Sequence, residues 1–296
     1  MKVAFIGLGA MGAPMAERLL AAGHELAVFD VDAAAVRRVV ERGALGRRSA
    51  LEAATGADTV FACLPGPQAS REVAQAVAGA KGVRTYVETS TIGTVALHAV
   101  LKAFAESGVG VLDAPVSGGP RGARAGTLAT MVSGERATFE RTRPLFEAIA
   151  GKVFYVGAAP GLAQMAKLAN NMISAAGMAA ACEAVVLAVK AGLDPSTLID
   201  VINASTGRNS ATLDKFPQSI LPRSFDYGGK LATMYKDVQL CFDEARAMDV
   251  PMWVGSSVVQ LWFQGMVEGR GQDDYTTIIK VIEGWTGVTV QGRRAR

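Results

Sequence analysis

Short continuous apolar runs alternate with stretches of helical period through the first half of the chain, while the second half keeps only the helical period. Residues 2–6 are such a run, as expected for a strand buried on both faces of a parallel sheet. A helix then runs to about Ala22, with Met15 and Leu19 four apart on one face and Gly23 as its stop signal. Further strands are predicted over 25–29, 59–64, 85–90, 128–132 and 152–156, with helices between them, including one over 94–106. Strands joined by helical crossovers predict an α/β fold with a doubly wound parallel sheet, whose ligands lie beyond the carboxyl ends of the strands. After Gly192 the pattern is helical and strandless: 195–203, a polar connector 205–210, then 233–248, 251–267 and 274–285. A helix from Leu162 to Ala191 would span about 45 Å, longer than one small domain needs. The expected organisation is therefore a dinucleotide-binding domain over 1–161 and an all-helical domain over 162–296, joined by that helix.

Residues 172–193 are apolar enough to raise a membrane span, but Glu183 and Lys190 interrupt them and the composition is rich in alanine. A buried helix fits better, and no membrane partner is expected. With 296 residues, half of them hydrophobic, two cores are affordable. The net charge of +3 is small, and the basic residues are dispersed except in Gly292-Arg-Arg-Ala-Arg296, which reads as a frayed, solvated end. Nucleic-acid binding needs a clustered basic face and is not expected. Cys63, Cys182 and Cys241 are isolated in apolar settings, without the spacing of a metal site or disulfide framework, and read as buried, reduced thiols. The first strand begins at Lys2, leaving no room for a leader, so a cytoplasmic setting is expected.

The chemistry begins at Gly7-Leu8-Gly9-Ala10-Met11-Gly12, between the first strand and first helix. Gly7 permits the tight turn, Gly9 lets a pyrophosphate approach the backbone, and Gly12 lets helix and strand pack closely. The second strand ends at Asp30, eighteen residues beyond Gly12. A carboxylate there accepts hydrogen bonds from adenosine ribose hydroxyls, while Asp30 and Asp32 together repel a 2′-phosphate, so NAD is favoured over NADP. Arg37 and Arg38 are the counter-evidence, although helical geometry more simply puts them in solvent. Leu64-Pro65 and Ser90-Thr91 fall at strand carboxyl ends and are read as the nicotinamide side of the cleft; strand termination is the plainer alternative.

Asp113-Ala-Pro-Val-Ser-Gly-Gly-Pro120 lies between two apolar strands. Ser117 followed by Gly118 and Gly119 offers a hydroxyl and exposed amides, a cradle for a small carboxylate, with a flexible turn as the alternative. Gly161 then opens the long helix. Lys167 and Asn171, four residues apart, share one helical face, and Gln164 lies near that stripe, so the three are placed to share a ligand. The apolar residues around Lys167 favour its neutral amine and bring its pKa toward the range that proton transfer requires.

Taken in order, the glycine loop, Leu64-Pro65, Ser90-Thr91-Ile92, Asp113 to Gly119, Gly161 to Asn171 and Lys236-Asp237 resemble the β-hydroxyacid dehydrogenases, the family of 3-hydroxyisobutyrate dehydrogenase and tartronate semialdehyde reductase. The resemblance covers nearly the whole chain. It implies a Rossmann domain, a helical C-terminal domain, and homodimers or homotetramers in which helical domains pack together. It also implies Lys167 as catalytic acid/base, Asn171 and Ser117-Gly118-Gly119 as substrate-binding, and Lys236 beside the nicotinamide. The 6-phosphogluconate dehydrogenases look similar in layout, but Asn170 stands where their Lys-x-x-His-Asn has its histidine. Ala69 departs from the polar residue that many members have there, and Arg121 and Arg124 are read as exposed loop charge.

The expected reaction is NAD-dependent interconversion of a small, carboxylate-bearing β-hydroxy acid and its semialdehyde. An imine or amine reductase on the same fold, or an NAD-binding protein without turnover, are the rivals; the lysine argues against the first, since related reductases typically lack it, and Lys167, Asn171 and Lys236 together argue against the second. Which acid is used is not readable from the motifs. Its substituents are expected to meet the helical domain around Arg208 and Asn209.

Overall fold

A computed structural model of the chain describes residues 1–292; the expected frayed end, beyond Gly292 itself, lies outside the described residues. The chain divides into two compact units, Met1–Lys167 and Leu168–Arg296.

The first unit is built on nine strands: β1 (Lys2–Ile6), β2 (Glu25–Phe29), β3 (Leu45–Gly46), β4 (Thr59–Ala62), β5 (Thr85–Glu88), β6 (Gly110–Asp113), β7 (Val116–Ser117), β8 (Leu128–Ser133) and β9 (Ala150–Gly157). They form one sheet in the order β3-β2-β1-β4-β5-β6-β8-β7, with β9 paired to β8. Helices α1 (Gly12–Ala21), α2 (Ala33–Val40), α3 (Ala50–Ala54), α4 (Pro67–Val77), α5 (Gly93–Phe104), α6 (Gly119–Ala125) and α7 (Arg136–Ile149) connect them. The apolar runs are explained by burial on both faces. Val3 and Phe5 pack on one side with Met15, Leu19, Phe61 and Phe146, and Ala4 and Ile6 on the other with Val60, Tyr86 and Leu97. The Phe5 and Phe61 rings stack at 5.8 Å, side by side on paired strands.

From β3 to β6 the pairing is parallel, as expected, but β8 runs antiparallel to both β6 and β7. The residues between β7 and β8 are too few for a parallel crossover, which needs about a dozen or more. Strands β4 and β5 stop two residues short of the expected 64 and 90. Beyond them the chain is held by side chains instead: Thr89 Oγ1 donates to the Ala62 carbonyl at 2.6 Å, and Ser90 Oγ accepts from the Leu64 amide at 2.7 Å.

Helix α8 (Leu162–Lys190) runs for 29 residues, and the division between the units falls inside it. Gly161, at φ +99°, turns the chain into it. Its first turn is clasped to the carboxyl ends of the sheet. The Gln164 amide oxygen accepts from the Ile92 and Gly93 amides at 2.8 and 3.0 Å. Its nitrogen donates to the Ser90 carbonyl at 3.0 Å and to Asp113 Oδ1 at 2.7 Å. Asp113 Oδ2 in turn accepts from the Gln164 backbone amide at 3.0 Å, satisfying a donor that the helix start leaves open. By length and composition α8 is apolar enough to cross a membrane. Its Leu168, Met172, Ala175, Met178, Cys182 and Val185 are nevertheless core side chains of the second unit.

That unit adds α9 (Pro195–Asn203), a π-helix (Ala211–Ile220), α10 (Leu231–Ala247), α11 (Trp253–Val267) and α12 (Ile278–Thr286), around Phe216, Val238, Trp262 and Ile278. The π-helix was not expected. Pro217 inside it has no N–H for the Thr212 carbonyl five residues back, and Asn203 Nδ2 donates there instead at 3.0 Å.

Gln164→Ala removes the acceptor of two buried amides and two donors at once, with each unsatisfied group costing about 1–3 kcal/mol. Its unfolding free energy in urea is expected to fall by about 3 kcal/mol or more; a loss under about 1 kcal/mol would show that the clasp is not what holds α8 to the sheet.

Candidate active site

The turn between β1 and α1 is governed by what stands beside each glycine. Gly7 has φ +93°, and a Cβ there would lie 2.1 Å from the Cys63 carbonyl oxygen; at Gly12 it would lie 1.9 Å from the Gly7 carbonyl oxygen. Gly9 is different: nothing lies within 4 Å of the place its Cβ would take, and Gly9 and Ala10 are exposed. Two glycines thus seal the turn against its own fold, while the third leaves its backbone open to a ligand. This arrangement fits the close approach of a dinucleotide pyrophosphate.

Asp30, half-buried at the end of β2, faces the same turn. Its Oδ2 accepts from the Leu8 amide at 2.6 Å and its Oδ1 from the Asp32 amide at 2.8 Å. A carboxylate has about four lone-pair sites, so it retains capacity for ribose hydroxyls. Asp30, Phe29 and Val36 border a hollow of about 540 Å³ together with Arg37, Arg47 and Arg48. Arg37 and Arg38 are both exposed, as helical geometry suggested, although Arg37 borders this hollow.

The other expected residues of this unit fall at the carboxyl ends of the strands. Leu64 is tied to Ser90 by the hydrogen bond already described, with exposed Pro65 next to it and half-buried Thr91 following Ser90. Ser117 ends β7, and Gly118 and Gly119 follow at φ +128° and +62°, both exposed. Arg121 and Arg124, expected on a loop, belong to α6.

Gln164 was expected to share a ligand with Lys167 and Asn171, and this is corrected. All four hydrogen-bonding positions of its amide are spent on Ile92, Gly93, Ser90 and Asp113. Lys167 itself is 8% exposed.

In the helical unit Asn171 is buried, and its Nδ2 donates to Asp237 Oδ2 at 2.6 Å while its Oδ1 accepts from Asn170 Nδ2 at 3.1 Å. Asp237 also pairs with Lys236, Nζ to Oδ1 at 2.8 Å. A buried carboxylate thus joins two expected site residues, and it fixes which end of the Asn171 amide faces which way. Asp237 had been quoted as part of a motif without a role; its place next to Lys236 was the available signal.

Sequence reasoning also passed over Glu88 and Asp113, opposed across β5 and β6 and both fully buried. Burial raises the pKa of Glu88 from 4.5 to about 7, against hydrogen bonds from Ser90 and Ser70. Burial likewise raises that of Asp113, opposed by hydrogen bonds from Gln164, Ser133 and Gly161. Burial also pushes the Cys63 thiol up to about 12, which makes it a poor nucleophile at the edge of the turn. Another hollow, of about 680 Å³, lies between Arg84, Phe104 and Arg141 at the opposite, amino-terminal ends of β5 and β6.

Residues 2–157 match the family model described as the NAD binding domain of 6-phosphogluconate dehydrogenase. Residues 161–282 match the one described as NAD-binding of NADP-dependent 3-hydroxyisobutyrate dehydrogenase. The chain is 35% identical to a 2-(hydroxymethyl)glutarate dehydrogenase of Eubacterium barkeri, over 98% of each protein. It is 38% identical to an NAD-dependent L-serine dehydrogenase of Pseudomonas aeruginosa, over 95% of this chain and 98% of that one. Among solved structures, the Mycobacterium tuberculosis 3-hydroxyisobutyrate dehydrogenase with L-serine superposes with a TM-score of 0.88 at 36% identity, covering 95% of this chain and 99% of that one.

The Glu88 shift has a sign that can be checked. With its folded pKa raised to about 7, Glu88 binds its proton more tightly in the folded protein, so its contribution to stability is full below about 4.5 and is lost as pH rises through about 7. Glu88→Gln keeps an acceptor for the Ser90 amide and cannot ionise. Between pH 5 and 8 its thermal midpoint is expected to fall less steeply than that of the unchanged protein; parallel slopes would refute the assignment.

Proposed function

The chain belongs to the β-hydroxyacid dehydrogenase family of NAD-dependent oxidoreductases acting on a hydroxyl group, and on that premise we propose that it interconverts a small β-hydroxy acid and its semialdehyde with Lys167 as the proton-transfer group. The observation that carries this reading is the burial of Lys167 one turn beyond the Gln164 clasp. An amine shielded from water, on a helix start that cannot drift, is placed to take a proton and, as its ammonium, to return it.

NAD, when bound, supplies the hydride acceptor at its nicotinamide. The open backbone of Gly9, flanked by Leu8, Ala10 and Met11, receives the pyrophosphate, and Asp30 takes the adenosine ribose. Leu64, Pro65, Thr91 and Lys236 are assigned to the nicotinamide side. Ser117, Gly118 and Gly119 hold the substrate carboxylate. Lys167 Nζ takes the hydroxyl proton as the carbinol carbon is oxidised, and returns it to the carbonyl oxygen in reduction. Asn171 orients that oxygen with its second Nδ2 hydrogen, because the first is committed to Asp237.

In this reading residues 1–161 carry the cofactor and 162–296 the substrate's far side and self-association. Exposed apolar side chains on the helical unit, among them Trp253 at 86% and Ile173 at 74% exposure, support a homodimer or homotetramer formed through it. Three free thiols support a reducing, cytoplasmic setting.

Lys167→Ala is expected to lower kcat by about 10²–10⁴, followed at 340 nm with 3-hydroxyisobutyrate and NAD, while NAD affinity by fluorescence titration stays within about twofold. Near-normal turnover would remove Lys167 from its role. The glycine assignments separate in a second experiment: Gly9→Val should fold with an unchanged melting temperature but bind NAD at least about tenfold more weakly, since its side chain enters the space left for a ligand. Gly12→Val should lose folded protein instead, its Cβ meeting the Gly7 carbonyl. Equal behaviour of the two variants would count against the division of labour within the turn.

A further inference from the structure

Three arginines meet at one edge of the sheet in the first unit. Arg37 stands on α2, and Arg47 and Arg48 follow β3. Close packing brings the two elements together: a Cβ on Gly46 would stand 3.0 Å from Val40 Cγ2 and 3.1 Å from Val36 Cγ1, so α2 lies against the end of β3. Ala33, Val36 and Arg37 all border the hollow beside Asp30, because residues three and four apart share one side of a helix. On the other side Gly46 pairs with Val28, and the Arg47 amide donates to the Val28 carbonyl at 2.9 Å. This carries Arg47 and Arg48 beyond β3 alongside Phe29 and Asp30. Neighbouring strands lie about 4.8 Å apart, within the reach of an arginine side chain.

The charges around this hollow do not balance. Asp30 is the carboxylate that borders it, against the guanidinium groups of Arg37, Arg47 and Arg48. Among the described residues none of those three groups takes part in an ion pair. The nearby acids are turned to the backbone instead. Asp30 accepts from the Leu8 and Asp32 amides, Asp32 Oδ1 from the Ala34 amide at 2.8 Å, and Glu52 Oε2 from the Arg48 amide at 3.0 Å. Cations gathered without a counter-ion repel one another, and a bound dianion relieves that repulsion. The adenosine ribose of NAD brings only hydroxyl groups to this place. A phosphate monoester on the same ribose brings a charge of about −1.5 to −2 and oxygens that match the guanidinium fork.

We propose that Arg37, Arg47 and Arg48 receive the 2′-phosphate of NADP, so that the chain binds NADP as well as NAD at the same glycine turn. This rests on the assignment of Asp30 to the adenosine ribose and deepens it. The repulsion expected from Asp30 and Asp32 is outweighed, because three cations face the ribose position while both acids already serve backbone amides.

The test is calorimetric titration of the full chain with 5′-AMP, adenosine 2′,5′-bisphosphate, its 3′,5′ isomer, NAD and NADP, at low ionic strength where exposed charges are least screened. The 2′,5′-bisphosphate is expected to bind at least about tenfold more tightly than 5′-AMP, and NADP no more weakly than NAD. Arg37→Met and Arg48→Met change exposed side chains, and Arg47→Met keeps the backbone amide that the sheet uses, so all three should fold with an unchanged melting temperature. Each should cut the advantage of the 2′-phosphate by at least about threefold and leave the affinity for 5′-AMP within about twofold. A 2′-phosphate that adds no affinity, an equal gain from the 3′-phosphate, NADP binding weaker than NAD, or an advantage that no variant moves would overturn the inference and leave the NAD site standing. Failure of both 5′-AMP and NAD to bind would overturn the assignment of Asp30 to the ribose, and this inference with it.

Discussion

The arrangement depends on one buried contact, the amide of Gln164 set against the carboxylate of Asp113. Asp113 stands at the carboxyl end of β6, and Gln164 in the first turn of α8; between them the helix start is held by bonds to Ser90, Ile92, Gly93 and Asp113. A helix anchored this way has little freedom to rotate, so the direction of the side chain three residues on is settled too. Lys167 is that side chain. The clasp therefore ties the residue proposed for proton transfer to the same rim of the sheet that carries the Gly7–Gly12 turn.

Buried acids are the cost of that rim. Glu88 and Asp113 lie side by side, and burial raises both pKa values. Their hydrogen bonds compensate: Ser90 serves Glu88, and Gln164 and Ser133 serve Asp113. The helical unit uses a different solution, in which Asp237 shares its charge with Lys236 and its other oxygen with Asn171. Both devices fix an amide so that what remains of its hydrogen-bonding capacity points one way. In Gln164 nothing remains, and its role is structural; in Asn171 one N–H remains, which is what an orienting residue needs.

The relatives of this chain act, by their names, on 2-(hydroxymethyl)glutarate, L-serine and 3-hydroxyisobutyrate. These share a primary alcohol near a carboxylate and differ in what else the molecule carries.

Much of this was legible before any coordinates. The strand over 2–6, the helix after Gly12, the strand ending at Phe29 and the long helix from Leu162 follow from local periodicity and stop signals, which neighbouring residues alone determine. Gly7 and Gly12 are explained by a turn a few residues long, and Lys167 and Asn171 share a face because helical spacing is fixed. The antiparallel return of β8, the π-helix around Pro217 and the employment of Gln164 were not legible. In each case the deciding partner is remote or conformational: β6, the Asn203 amide or the Asp113 carboxylate. Local sequence sets the direction in which a polar side chain leaves the backbone; whether its hydrogen bonds are already spent depends on what distant segment packs against it, and that is settled only when the chain is folded.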